Sequence, residues 1–263
     1  MFSKANSKTD ALKQVEELQV WLEEYPEVYS FDLLSGWSCP YARDCFAKVV
    51  INDAGKREVV DGEFTEFRCF SASQEVQYPA TYEKRKRNFD TMKAAKTTDA
   101  MFKILNDNLP KKAGIIRIHV AGDFFNQNYF DAWVRMAEEH PDRLFYFYTK
   151  ALPFWLEYDY LTDNMVGTAS RGGRCDDLID QYGLREAIVV ADPAIVDTIL
   201  ESGDHNNYNG LAIDHDDSHA AVPEWKDDSF YLLIHGTQPA GSDAGQAKSK
   251  LKGLGSYGKK SNV

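Results

Sequence analysis

Short apolar segments alternate with helical segments along this chain, and this alternation limits the possible folds more than any other feature. The apolar segments that read as strands cover residues 28–34, 115–120, 144–148, 165–169, 187–190, 210–213 and 230–234. From residue 115 onward their spacing is that of a strand–helix unit. Such alternation predicts an α/β fold with mainly parallel strands in a sheet covered on its faces. Six or seven strands suit a partial or complete (β/α) TIM-like barrel, and a doubly wound open sheet is the alternative.

Helices and a hairpin complete this predicted architecture. The spacing of Leu12, Val15, Leu18 and Leu22 predicts an N-terminal amphipathic helix over residues 10–24. Other segments predict a hairpin over 49–60, a mostly helical stretch over 73–108 with a break near Pro79, and helices over 127–139 and roughly 193–202. No linker divides the chain, so we expect one domain over 1–263, with a short helix near its end and a flexible tail over about 250–263.

Composition narrows the classes of function. The 263 residues carry a net charge of −11, which disfavours sequence-independent binding to bulk nucleic acid. No apolar run approaches the ~18 residues of a membrane span, so we expect no membrane partner. Residues 1–8 are polar and lack an apolar signal core, which predicts a cytoplasmic protein. In a reducing cytoplasm, clustered cysteines bind metal or do redox work more often than they form disulfides.

Three of the four cysteines follow the first predicted strand in one cysteine-bearing insertion. Five residues separate Cys39 from Cys45, Cys69 comes next, and Cys175 lies much later in the chain. Their polar neighbours Pro40, Arg43, Asp44 and Arg68 are unusual for a buried core segment. Three or four thiolates fit an iron–sulfur cluster or zinc, and the spacing lacks the paired C-x2-C knuckles of a zinc ribbon. A cluster is therefore preferred, with zinc and unliganded, packed thiols as alternatives.

Polar residues also follow the other predicted strands. In parallel α/β proteins the catalytic and ligand-binding residues lie at these carboxyl ends of the strands. Asp123 after Gly122 is a candidate ligand-binding carboxylate, although Asp123 or Asn126 could equally be the N-cap of the helix over 127–139. Lys150 after the third strand is a candidate anion binder or a surface lysine. The remaining candidates are Ser170, Arg171, Asp192, the Asp/His run 214–219 that includes His215, and His235. His119 reads as a core residue, and the 214–219 run has an exposed polar loop as its alternative.

Several segments resemble the gene-product-eighty-eight family of phage proteins, found in cyanophages among others. The resemblance covers roughly residues 33–255, and it is carried by the segments 38–42, 68–75, 119–125, 129–133, 148–150 and 235–242. It implies that the protein works in the cytoplasm of an infected host cell, with a small molecule, a host protein or a phage protein as its unidentified partner.

A looser resemblance is to radical S-adenosylmethionine (SAM) enzymes, which are partial or full (β/α) barrels. Their first strand leads to cysteines that bind a [4Fe–4S] cluster, and a Gly-Gly-Glu-type motif after their second strand holds the amino group of SAM. The resemblance implies that Cys39, Cys45 and Cys69 bind a [4Fe–4S] cluster and that Gly122 and Asp123 bind SAM. By the same resemblance, Ser170 and Arg171 contact the SAM ribose or carboxylate.

This chain departs from that pattern in three places. The cysteine spacing is C-x5-C with a distant third cysteine instead of C-x3-C-x2-C, Ala121 replaces the first glycine, and Asp123 replaces the glutamate. If Cys175 is a fourth ligand, no iron remains open for SAM.

Three hypotheses follow for the function. The first is a radical-SAM-like enzyme whose substrate lies near Lys150, His215 or His235. The second is a non-enzymatic protein whose four cysteines hold a structural or electron-transfer site and which binds a host or phage partner. The third is a metal-independent nucleic-acid-processing protein that uses the basic run 84–87 and the Asp/His loop.

Overall fold

A computed structural model describes residues 1–6, 8–252 and 254. Its strands are β1 (Ser3–Lys4), β2 (Glu27–Phe31), β3 (Ala47–Ile51), β4 (Arg57–Asp61), β5 (Ala113–Ile118), β6 (Leu144–Thr149), β7 (Met165–Ser170), β8 (Glu186–Val190), β9 (Asn207–Tyr208), β10 (Leu211–Ile213) and β11 (Phe230–Leu233). Its α-helices are α1 (Gln19–Leu22), α2 (Phe70–Gln77), α3 (Pro79–Ala95), α4 (Thr98–Asn108), α5 (Gln127–Glu139), α6 (Leu152–Trp155), α7 (Asp177–Tyr182), α8 (Pro193–Ser202), α9 (Ser218–Ala221) and α10 (Asp243–Lys250). Short 3₁₀ helices span Thr9–Gln14, Glu16–Leu18 and Pro223–Trp225.

Nine strands form the central sheet in the order β1-β2-β5-β6-β7-β8-β11-β10-β9. Neighbours from β2 to β10 are parallel, whereas β1 and β9 pair antiparallel at the two edges. The predicted α/β class with a mainly parallel sheet is thereby confirmed.

A closed barrel is not shown. Among the described strands, β1 and β9 end the sheet, and β1 occupies the free edge of β2 through the pairs Ser3↔Ser30 and Lys4↔Tyr29. The backbone groups that a closing strand would need are therefore already used. The last two predicted strands also do not follow chain order in the sheet, because β11 lies between β8 and β10.

The two faces of the sheet pack against different elements. Ile116, Ile118, Phe145 and Phe147 on one face join a core with α3, α4 and α5. Alternate residues on the other face, among them Ile115, Leu144 and Tyr146, pack on the N-terminal helical turns and α9. Burial on both faces explains why β6 reads as a nearly continuous apolar run.

The N-terminal segment differs from its prediction. Residues 10–24 form two 3₁₀ turns and the short α1, because Val15 between the turns is extended (φ −82°, ψ 123°). The side-chain amide of Gln19 donates to the carbonyls of Lys13 and Val15 at 3.1 and 2.8 Å, which stabilises this break. Leu12, Leu18 and Leu22 are nevertheless buried, as their spacing predicts.

Other local predictions are confirmed. The hairpin is formed by β3 and β4, and α5 covers the predicted residues 127–139. The helical stretch over 73–108 divides into α2, α3 and α4, with Pro79 at the start of α3. α10 accounts for the short helix near the end, whereas most of the predicted tail, residues 253 and 255–263, lies outside the described residues. The single-domain assignment stays a prediction.

The described helices include none that is both long and apolar enough to cross a membrane.

Candidate functional site

A cavity of about 1220 Å³ lies where the carboxyl ends of the parallel strands meet the cysteine-bearing insertion. This volume exceeds the roughly 300–1,000 Å³ of typical small-molecule sites, so it has room for more than one small ligand. Three of the four cysteines line it, namely Cys39, Cys45 and Cys69. Residues that follow other strands also line it, among them Gly122, Asp123, Lys150, Ser170, His215 and His235.

Residues 32–46 between β2 and β3 carry Cys39 and Cys45 and are here called the cysteine loop. Backbone hydrogen bonds fix this loop to the sheet. Cys39 closes a turn on Gly36, whose φ of +71° and close approach to the carbonyl of Ala47 exclude a larger side chain. Asp44, next to Cys45, donates from its backbone N–H to the carbonyl of Gly172 at 3.0 Å, just after β7. Cys69 directly precedes α2, so its thiol lies at the N-terminal end of that helix.

The three thiols share one electrostatic environment. Loss of solvent raises the pKa of Cys39 well above its ordinary value, with Asp123 and the other two thiols adding to the shift. Desolvation likewise raises the pKa of Cys45 to about 11, although the nearby Lys150 ammonium opposes this change. Three neighbouring thiolates would therefore need a bound cation to compensate their charge.

The described thiols are not arranged to hold a single metal ion. Within the described residues, no three His, Cys, Asp or Glu side chains have the arrangement that one metal ion needs. Tetrahedral zinc with Zn–S bonds of about 2.3 Å requires sulfurs only ~3.8 Å apart. In an iron–sulfur cluster each thiolate binds a different iron, so the thiols can stand farther apart around the same cavity.

Cys175 lies outside this group. It precedes α7 and does not line the cavity, and the charges that act on its thiol are those of Asp176, Asp177 and Arg174. The structure therefore brings together three of the four predicted thiol ligands.

Gly122 is required by packing. Its φ is +89°, and a Cβ there would lie 2.6 Å from Ser38 Oγ and 2.7 Å from Leu33 Cβ. The predicted close approach to this backbone is made by the cysteine loop itself, which fills the space in front of the glycine.

Both oxygens of the Asp123 carboxylate accept hydrogen bonds within the protein. It accepts from Thr149 Oγ1 at 2.6 Å and from the backbone N–H groups of Phe124 and Lys150 at 2.8 and 2.9 Å. Burial outweighs these bonds and raises the pKa of Asp123 to about 6. Asp123 thus joins the ends of β5 and β6, and the N-cap of α5 is Asn126, which accepts from the N–H of Tyr129.

Lys150 joins the ends of β6 and β7 in the same way. Its ammonium donates to Ser170 Oγ at 2.7 Å and to the carbonyls of Ser170 and Arg171 at 2.9 and 2.8 Å. These three bonds use all its protons and also engage the Ser170 hydroxyl. Arg171 does not line the cavity, and its guanidinium pairs with Glu186 and Asp180.

Two predicted histidines lie on the cavity wall. His215 contacts the carbonyl of His205 through Nε2 at 2.9 Å. His235 lies against the ring of Phe70, with centroids 4.4 Å apart, and burial lowers its pKa to about 4. At neutral pH, His235 is therefore uncharged.

The basic run 84–87 does not form one exposed patch. Lys84 donates to the carbonyl of Phe2 and to Ser3 Oγ, both at 2.7 Å. Arg85 is buried beside Glu75, and Lys86 pairs with Asp90 on α3. Most of the positive charge proposed for nucleic-acid binding is thus engaged within the protein.

Lys8, Arg117 and His119 are among the cavity residues that the sequence did not mark as candidates. Asp217 also lines the cavity and pairs with both Lys8 and Arg117. Asp217 stood within the predicted Asp/His run, but nothing in the polar N-terminal segment marked Lys8. His119 was predicted to be a core residue within a strand, and it is indeed buried, with its Nε2 3.0 Å from the Tyr129 hydroxyl. Its left-handed backbone (φ 68°) places it just beyond β5, at the cavity wall.

The model of the gene product 88 family matches residues 1–252, nearly the whole chain and all of the cavity-lining elements up to α10. The chain belongs to the gene product 88 family. No curated protein and no solved structure matches it. The match confirms the resemblance to this family, whereas the resemblance to radical SAM enzymes gains no support from these comparisons.

Proposed function

We propose that this member of the family binds an iron–sulfur cluster through Cys39, Cys45 and Cys69. The observation that carries the proposal is the meeting of three thiols on one cavity in a chain with only four cysteines. Two of them come from the loop after β2 and the third precedes α2, so their meeting depends on tertiary structure.

A bound cluster would take the place of the protons on these thiols. Each of the three cysteines is only half-buried, yet desolvation and mutual repulsion raise the pKa values of Cys39 and Cys45. Irons would compensate the three thiolates, and a bound cluster would supply one-electron redox chemistry. Lys150, fixed beside Cys45, adds a positive charge that favours the reduced, more negative state.

The residues proposed for SAM fit it less well than the cysteines fit a cluster. The space at Gly122 is filled by Leu33 and Ser38, and Asp123 and Ser170 are hydrogen-bonded within the protein. Arg171 does not line the cavity. The poor fit to SAM favours the second hypothesis over the first. In the second hypothesis the protein is not an enzyme, and its cluster is structural or transfers electrons. The radical-SAM-like enzyme with a partial barrel stays a prediction that rests on the cavity's volume and its position at the strand ends.

Cysteine variants test the proposal under anaerobic purification. We expect Cys69→Ser to lose most of the iron and the broad absorption near ~400 nm that thiolate-ligated iron produces. Cys175→Ser is the matched control, and it should keep at least about three quarters of both signals because it does not line the cavity.

Two outcomes would contradict the proposal. Stoichiometric zinc, or a wild-type protein that stays metal-free after anaerobic reconstitution, would exclude the cluster. Loss of iron in Cys175→Ser equal to that in Cys69→Ser would instead favour a closed four-cysteine site.

A further inference from the structure

A second group of charged side chains lines the cavity and shares no residue with the cysteine group. It consists of Lys8, Arg117, Asp214 and Asp217, hereafter the Asp217 cluster. Asp214 and Asp217 are almost fully buried, with 4% and 1% of their surface exposed. Burial of so many charges is costly and occurs most often where a site needs them.

Several donors of this cluster converge on the Asp217 carboxylate. Lys8 Nζ lies 2.8 Å from Asp217 Oδ1, and Arg117 binds the other oxygen. The hydroxyls of Tyr146 and Tyr148 donate to the same carboxylate at 3.2 and 3.5 Å. One carboxylate thus faces two cations and two hydroxyls. Among the described residues, Asp217 is the ion-pair partner of Lys8, whose ammonium has three N–H donors.

Asp214 contributes a further unsatisfied group. Its Oδ1 accepts from the backbone N–H groups of Asp216 and Asp217 at 3.0 and 2.9 Å, whereas its buried Oδ2 has no partner within the described chain. Burial and the charge of Asp217 raise the pKa of Asp214 to about 7, against the opposing effect of Lys8. Because Oδ1 already accepts two bonds, a proton on this carboxyl belongs on Oδ2, where it is another donor.

Backbone strain coincides with this group. In the described residues four non-glycine residues have positive φ, and two of them, His119 (φ 68°) and Asp217 (φ 69°), line the cavity. Lys96, by contrast, ends α3 as its C-cap. Strained residues of this kind cluster at binding and catalytic sites.

We propose that Lys8 and Asp214 form a subsite of the cavity that binds an anionic group, a carboxylate or a phosphate, of a small ligand. Lys8 and Arg117 both face the single carboxylate of Asp217, so Lys8 keeps N–H donors that a bound anion could accept from. The ligand's oxygens would also accept from Asp214 Oδ2. The subsite does not depend on the iron–sulfur proposal, since the cysteines take no part in it.

Calorimetric titration of the purified protein with inorganic phosphate and, separately, with acetate tests the subsite. We expect one site for at least one of these anions, weakened at least tenfold in Lys8→Met. Lys248→Met is the matched control, because Lys248 lines the same cavity but is exposed and lies outside the Asp217 cluster. Binding of phosphate alone assigns a phosphate ligand, and binding of acetate alone assigns a carboxylate.

A second variant, Asp214→Asn, keeps the proposal testable if Lys8→Met fails to fold. Asp214→Asn preserves the shape and a donor at this position, so it should bind the anion within about threefold of wild type. The proposal is overturned if neither anion binds, or if the two lysine variants weaken binding equally. It is also overturned if methylammonium binds and Asp214→Asn abolishes that binding, because the subsite would then be one for cations.

Discussion

Asp123 and Lys150 illustrate at the residue scale how partners decide the role of a charged side chain. Sequence placed both at the ends of neighbouring strands, and the structure agrees with that placement. The sequence could not reveal that Asp123 binds Thr149 and that Lys150 binds Ser170, because these hydrogen bonds depend on which strands are neighbours in the sheet. A carboxylate that binds a ligand and one that joins two strands look alike in a sequence.

Gly122→Ala should destabilise the protein by roughly 2–4 kcal/mol. The new Cβ would clash with Leu33 and Ser38, and alanine is strained at a φ of +89°. Urea unfolding measures the effect. Gly203→Ala is the matched control, since Gly203 also has positive φ (+71°) but no neighbour within 4 Å of a Cβ, and should lose only about 1 kcal/mol. Equal losses in the two variants would show that the cysteine loop does not pack on Gly122.

The pH dependence of stability should report on His119. Burial, with a smaller effect of Arg117, lowers the pKa of His119 to about 3. Its unfolded pKa is about 6.5, so protonation favours the unfolded chain, and its contribution to stability is lost as pH falls from about 6.5 toward 3. His235 acts in the same direction, whereas Glu75 and Asp214, with raised pKa values, act in the opposite one.

His119→Asn isolates this contribution, because asparagine tolerates the left-handed backbone at position 119. Between pH 7 and pH 5 the wild type should lose about 2 kcal/mol more of its free energy of unfolding than this variant. Urea unfolding at the two pH values measures the difference. Parallel losses would mean that His119 is not a buried, neutral imidazole.

At the scale of single elements, the N-terminus of α5 depends on Asn126. Asn126→Ala should cost about 1 kcal/mol of stability, because it removes the acceptor for the N–H of Tyr129 at 2.9 Å. Asn126→Asp keeps that acceptor and should stay within a few tenths of a kcal/mol of wild type. Thermal unfolding compares the variants, and an alanine variant as stable as wild type would place the cap elsewhere.

Periodicity predicted elements well where local sequence decides them. The apolar and polar residues of α5 repeat at helical spacing, and its predicted bounds match the structure. The segment over 10–24 has the same spacing, yet Val15 is extended because the segment follows the face of the sheet. Tertiary packing there overrides the local preference.

At the scale of the whole molecule, strand order was the part that sequence could not supply. No local sequence pattern predicts that the two-residue β1 pairs with the edge of β2. No local pattern predicts either that β11 lies between β8 and β10. The clustering of polar residues at the strand ends was nevertheless predictable, since parallel strands share one carboxyl edge. The cavity lies at that edge, although its Asp217 cluster depends on Lys8, a residue about 200 positions distant in sequence from its partner Asp217.

Iron and acid-labile sulfide content of the anaerobically purified wild-type protein tests the central claim most directly. Three thiolates on one cavity predict about four irons and four sulfides per chain, as in a [4Fe–4S] cluster. Cys175→Ser should contain the same amounts, and Cys69→Ser should contain little of either. Wild-type protein that holds iron without sulfide, zinc in place of iron, or no metal after anaerobic reconstitution would contradict the account.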